Sequence, residues 1–346
     1  MTDYTTPELQ PYLTLATEIM RHVYGEEDPT ELNKWLSEQV AKLGGAKDEN
    51  AIMTWEESFD FYDELLQKRI ELSKLPADQR KLFDWPWATW NRLIDPMEFG
   101  MLAAITAGDG QGKTIVAECL GEYWAKRGHH VVFVHYELNR GVMLDRRAAR
   151  QTGIDRRTLK SADFHAGDLA QVREMRNRLS GWGGSITYLH TPGWTMERTV
   201  SALRSLKADG HCDVVLIDYL EKAAGSTRQI KLFGGNAFQR EADNVEQLKN
   251  FGEATDTPMV MLNQMSKAGK TGNFDKLDRT AMRGAGEKSE KANIVIMLHR
   301  EKIDGEYSRI VDVMVDKNTL GATGTFTQIM VPERFDIADI AKESTR

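Results

Sequence analysis

At 346 residues, with 41% hydrophobic and 28% charged side chains, the chain has the length for one large domain plus a smaller one and the balance of an ordinary globular protein. Its two cysteines lack metal-ligand spacing, which excludes a disulfide framework or zinc finger, and apolar runs as short as VVLI exclude a bilayer-spanning helix. The net charge of −7 argues against a nucleic-acid partner only until it is divided, because residues 1–85 carry 18 acidic against 9 basic side chains and leave the remainder at +2.

The opening, MTDYTTPELQPY, has neither a basic start nor a leader-like apolar segment, so the expectation is a cytoplasmic protein without membrane attachment. Cys119 and Cys212 are expected to be buried thiols. Residues 7–23, 29–43 and 54–74 space their apolar side chains as helices do, and Thr54 followed by Glu57 reads as a helix N-cap. Residues 1–75 are therefore predicted to form a small, acidic, all-helical module. Segment 76–97, with Trp85, Trp87 and Trp90, reads as a linker running into a docking segment, packed on a neighbouring subunit or on its own core.

From residue 98 the pattern changes. Strands are predicted at 101–107, 130–137, 185–190, 213–220, 258–265, 292–300 and 308–317. Helical patterns at 114–127, 140–150, 168–180, 195–208 and 236–254 separate the first five strands. Such alternation predicts an α/β domain over 98–346 with a mostly parallel, helix-covered sheet. Only EKIDGEY joins the last two strands, which are expected to pair antiparallel. His135, His190 and His299 are expected to be core or strand-end histidines.

Between the first strand and its helix lies AGDGQGKT, residues 107–114. A phosphate cradle needs small residues there, because backbone N–H groups must point inward at phosphate oxygens beside a helix N-terminus. Gly108, Gly110 and Gly112 supply that freedom, and Asp109, Gln111, Lys113, Thr114 and Ile115 complete the nucleotide-binding stretch. Lys113 is placed to neutralise the β- and γ-phosphates of ATP, and Thr114 to bind Mg²⁺ together with Asp218, which ends the strand VVLID. Glu137, at another strand end, is the candidate for polarising the attacking water, and Gln264 for sensing the γ-phosphate. Polar groups at the carboxyl ends of consecutive parallel strands are where an α/β active site is expected.

Segment 265–291 is locally +3 and rich in glycine. Lys267, Lys270, Arg279, Arg283 and Lys288, with the backbone at Gly284 and Gly286, suit a sequence-independent grip on the phosphates of single-stranded DNA.

Taken in order, these motifs resemble the motor domain of DnaB-type replicative helicases over residues 86–335. AGDGQGKT matches the family's phosphate loop, HYELNRGVMLDRR its "SLEM" segment, and VVLIDYL its magnesium motif. MLNQMSKAG, MRGAGEKSEKANIVIML and DKNTLGATGTF are similar to the segments that follow. The resemblance implies a RecA-like P-loop NTPase core, with Arg146 approaching phosphate and Lys317 reaching the next subunit's nucleotide. It also implies a homo-oligomeric ring, a hexamer, moving on single-stranded DNA; the helical module, shorter than the family's N-terminal domain, is left to recruit a primase or loader or simply to brace the ring. Thr319 stands where the family carries an arginine finger. Two alternatives stay open: a filament-forming recombination or annealing ATPase, and a nucleotide-switched helicase loader or regulator.

Overall fold

The computed structural model describes residues 10–25, 32, 35–36, 39, 54–76, 79–136, 140–218, 220–265 and 290–340. The chain divides into two compact units, Met1–Pro76 and Ala77–Arg346. In the first, α1 (Gln10–Tyr24) and α2 (Trp55–Lys74) are helical. The start of α2 follows from its sequence: Glu57 N donates to Thr54 Oγ1 at 3.3 Å, and Thr54 N donates to Glu57 Oε2 at 2.7 Å. That reciprocal pair satisfies N–H groups which a helix start leaves without intrahelical partners. No residue of α2 is buried, and Trp55 stacks edge-on against Phe59. Most of the predicted helix 29–43 lies outside the described residues.

The second unit is built on six parallel strands: β1 (Leu102–Ala107), β2 (His130–His135), β3 (Ser185–His190), β4 (Val214–Asp218), β5 (Met259–Gln264) and β6 (Ile294–His299). Beyond a small ladder of β7 (Lys302–Ile303) and β8 (Glu306–Tyr307), the chain adds β9 (Ile310–Asn318), β10 (Gly324–Val331) and β11 (Asp336–Asp339). The last three extend the main sheet antiparallel, giving the order β11-β10-β9-β6-β1-β5-β4-β2-β3. The helices are α3 (Lys113–Lys126), α4 (Arg140–Thr152), α5 (Arg156–Ser161), α6 (Asp168–Ser180), α7 (Met196–Ala208), α8 (Thr227–Phe233) and α9 (Ala237–Thr255).

Each face of the central strands is covered. Ala103, Ile105 and Ala107 pack with Val116, Leu120 and Trp124 of α3, while Leu102 and Ala104 join Met196, Leu203, Val245 and Phe251 on the opposite side. Burial on both faces is why these strands read as unbroken apolar runs. Each fully buried Leu, Val or Ile adds roughly 1.5–3 kcal/mol. Trp85, Trp87 and Trp90 are buried in this unit's own core, and their indole N–H groups reach Asp95 O (3.2 Å), Ile337 O (2.8 Å) and Gln328 Oε1 (2.8 Å). Of the two packings expected for that segment, the one on its own core is observed.

Candidate nucleotide site

Sheet register brings the predicted residues to one edge. Ala107 pairs with Gln264 across β1 and β5, and His135 pairs with Asp218 across β2 and β4. The carboxyl ends are level within each of these pairs, and between them Ile217 pairs with Met261, so Asp218 stands two positions short of Gln264 on the same edge. Tyr136 N donates to Asp218 O at 3.1 Å, so the chain leaves β2 from beside Asp218 on its way to Glu137. Glu137 itself lies outside the described residues, as do Lys267, Lys270, Arg279, Arg283, Gly284, Gly286 and Lys288.

The cradle has the backbone that its sequence asks for. Ala107 is simply the last residue of β1, where an alanine costs nothing. Gly110 and Gly112 adopt φ of +73° and +104°, a region that side chains disfavour. Gly112 is also the N-cap of α3, and a Cβ there would clash with Met330 Cε. Lys113 Nζ folds back over the loop to donate to Ala107 O at 2.7 Å and Gly108 O at 3.4 Å. Gln111 closes the turn by accepting from Gly108 N at 3.0 Å, and Ile115 packs against the core. Exposed N–H groups at a helix start, with an ammonium beside them, make a polyphosphate site.

Thr114 Oγ1 donates to Asp218 Oδ2 at 2.8 Å. Asp218 is almost fully buried, which pushes its carboxyl up to about 6, partly opposed by the Thr114 hydrogen bond and the Lys113 charge. A hydroxyl and a carboxylate at this spacing are hard oxygen donors, and they would suit Mg²⁺. Gln264 Nε2 donates to Asp109 Oδ1, and its backbone N–H reaches Glu221 Oε1 at 3.3 Å. The γ-phosphate candidate is thus already bonded into the loop it would monitor.

The remaining predicted residues are less closely gathered. Arg146 Nη1 pairs with Glu118 at 3.3 Å, and its guanidinium stacks on the Phe335 ring at 5.1 Å. Lys317 donates to Glu290 O at 2.8 Å, and Thr319 N to Asn293 O at 3.1 Å, both on the antiparallel side of the sheet. Two residues at the cradle were not anticipated. Tyr307 Oη donates to Asp109 O at 2.7 Å, and Arg300 Nη1 to Gly110 O at 3.4 Å. EKIDGEY is thus a hairpin pressed on the phosphate loop. Beside Tyr307 opens a cavity of about 640 Å³, bordered by Arg156, Arg157, Lys160 and Arg309.

A glycine-rich phosphate loop on a central parallel strand, with an acid and a glutamine on the neighbouring strand ends, defines a RecA-like P-loop ATPase domain. The chain belongs to the DnaB-like helicase C-terminal domain family, whose profile matches residues 87–336. It is 21% identical over 334 residues to the replicative DNA helicase DnaC of Bacillus subtilis, covering 94% of this chain and 70% of that protein. A probable plasmid replicative DNA helicase of Chlamydia trachomatis is 24% identical over 229 residues, and the match spans 64% of this chain and 47% of that one. Among solved structures, a DnaB-like replicative helicase described with its interactions with primase aligns at a TM-score of 0.74 and 16% identity, over 96% of this chain and 76% of that chain. A second solved structure, an isolated ATPase domain, aligns at 0.69 and 20% identity, over 81% of this chain and 98% of its own length.

Proposed function

We propose that the protein is an ATP-driven replicative DNA helicase that works as a homo-hexameric ring on single-stranded DNA. The observation that carries this reading is the position of Gln264. Its side chain is bonded into the phosphate loop at Asp109, and the basic segment 265–291 follows it directly in the chain. A residue that responds to the γ-phosphate would pull on the DNA-gripping segment with no intervening element.

In this reading α3's N-terminus and Lys113 hold the β- and γ-phosphates, and Gln264 hydrogen-bonds the γ-phosphate. Glu137 orients the attacking water and accepts its proton. Thr114 and Asp218 would hold Mg²⁺, which would supply charge neutralisation to the polyphosphate. Arg146 adds positive charge from α4, and Lys317 from the neighbouring subunit. An arginine finger is worth roughly 10³–10⁵ in rate in well-studied NTPases, so with Thr319 at that place either Lys317 or another arginine supplies the charge, or turnover is slow. Lys267, Lys270, Arg279, Arg283 and Lys288, with Gly284 and Gly286, grip the DNA backbone. Module 1–75, joined through 76–97 to the motor 98–346, contacts a primase or loader. No described helix is long and apolar enough to cross a membrane, and a cytoplasmic location is part of the proposal.

The test is strand separation of a forked duplex by the purified protein with ATP and Mg²⁺. Failure at every protein concentration would sink the motor reading. Thr319 favours one competing role, a nucleotide-switched loader, which binds ATP without turnover stimulated by single-stranded DNA. An ATPase assay with and without that DNA separates the two.

A further inference from the structure

One helical turn beyond the cradle sits a carboxylate that the proposed mechanism does not use. Glu118 follows Thr114 by four residues on α3, so both side chains leave the same side of the helix. Its side chain is only 2% exposed. A carboxylate so deeply buried is strongly destabilising unless it is paired and hydrogen-bonded. Both of its oxygens are used, each by a different arginine of α4. Oε2 accepts from Arg150 Nη2 at 3.0 Å, and Oε1 from Arg146 Nη1 at 3.3 Å.

The two arginines are not equivalent. Arg150 is tied through both terminal nitrogens, since its Nη2 also reaches Glu122 Oε1 at 2.8 Å and its Nη1 reaches Phe335 O at 2.5 Å. Arg146 spends only Nη1, on its ion pair with Glu118, lies over the face of Phe335 and has a side chain 19% exposed, and among the described residues its Nη2 makes no bond. It therefore retains unused donors for a further anion. Glu118 stands one turn along α3 from Thr114, whose hydroxyl bonds Asp218 at 2.8 Å.

We infer that Glu118 is a positioning residue: anchored to the chain by Arg150 through one oxygen, it holds Arg146 with the other so that the guanidinium's remaining donors face the bound nucleotide's terminal phosphate. The inference rests on the proposed phosphate-directed role of Arg146. Without the anchor, a long side chain regains rotamers that must be frozen again at each turnover. Held in place, the guanidinium forms its charge-assisted bond to phosphate without that cost.

The experiment measures single-stranded-DNA-stimulated ATP hydrolysis and thermal melting for the full chain and for R146A, E118Q, R146A/E118Q and E122Q. R146A and E118Q should each lower kcat on the order of tenfold or more, as misplacement of a charged group does. KM for ATP should stay within about twofold, and the double variant should be no worse than R146A alone. E122Q removes a buried charge from the same network one turn further from the cradle; it should melt earlier and keep its kcat. A folded E118Q with wild-type kcat beside an impaired R146A overturns the positioning role and leaves the Arg146 reading intact. Wild-type kcat in R146A overturns both. Multiplying losses in the double variant also overturn the inference. Should E118Q fail to fold, E118D retains the buried charge but withdraws it by one methylene. A lowered kcat in E118D supports the inference, and a wild-type kcat refutes it.

Discussion

Strands β1, β2, β4, β5 and β6 are buried almost from end to end, whereas β9 and β10 alternate covered and more exposed residues along their length. The two parts of the sheet serve the cradle in different ways. The parallel block delivers its chemistry through backbone register, since a strand's last residue has nowhere to go but the carboxyl edge where Lys113, Thr114, Asp218 and Gln264 meet. The antiparallel edge, together with the β7–β8 hairpin that leads into it, approaches the same loop from the side, through single side chains: Tyr307 on Asp109 O, Arg300 on Gly110 O and Met330 under Gly112. A contact set by register is shared by whole strands and is costly to move. A contact made by one side chain is worth one hydrogen bond. On this division, lesions in the block should abolish turnover and lesions at the edge should only tune it.

The sharpest way to break that division is Lys113→Ala. Removing a pre-aimed charge from a polyphosphate site typically costs roughly 10²–10³ in rate. The fold should survive, because the bonds of Lys113 to Ala107 O and Gly108 O lie within the cradle itself. We expect ATP hydrolysis to fall by about two to three orders of magnitude while the circular-dichroism spectrum is unchanged. A loss below tenfold would mean that the block does not control the chemistry.

A second test uses pH, with opposite signs for activity and stability. The carboxyl of Asp218 is pushed up to about 6 by burial, so the free protein loses its metal-holding carboxylate as pH falls through that value. kcat/KM for ATP, which reports the free enzyme, should drop about tenfold per pH unit below about 6. Stability should move the other way. The folded state holds this proton more tightly than the unfolded chain, whose aspartate titrates near 4. Asp218's contribution is therefore most favourable below about 4 and is lost as pH rises to about 6, by on the order of 2–3 kcal/mol. An activity profile that stays flat down to about pH 5 would contradict this account of the corner.

How far the sequence disclosed this site follows the same division. The cradle, Asp218 and Gln264 were legible because glycine spacing and the ends of apolar runs are local signals, and parallel pairing then aligns them. β10 and β11 were not anticipated: one shows alternation over only part of its length, and the other is four residues long. Tyr307 was invisible for a different reason. Its hydroxyl meets a backbone carbonyl 198 residues away, and a carbonyl carries no side-chain signature. Glu118 and Glu122 drew no expectation at all: set among apolar residues on α3, they are buried against the arginines of α4. Helical periodicity shows that a face is polar; it does not show whether water or guanidinium covers it.

The smallest expected effect belongs to the edge and tests its side of the comparison. Tyr307→Phe removes one hydroxyl and leaves the ring, which lies against Gly110 and carries the guanidinium of Arg300 at 5.4 Å from its centroid. The lost bond to Asp109 O is a neutral one, worth about 1 kcal/mol net. Asp109 also accepts from Gln264, so a loosened carbonyl there should blur the loop's geometry without unmaking it. The expected outcome is nucleotide affinity weakened up to about fivefold, the equivalent of that one bond, with kcat little changed. Fluorescent-nucleotide titration with and without Mg²⁺ measures it. Tighter binding in Tyr307→Phe would mean that the hairpin closes the cradle against nucleotide rather than bracing it, and the edge would then be a gate. A loss as large as that of Lys113→Ala would erase the distinction between the two parts of the sheet, because a single side chain at the edge would then matter as much as the register of the block.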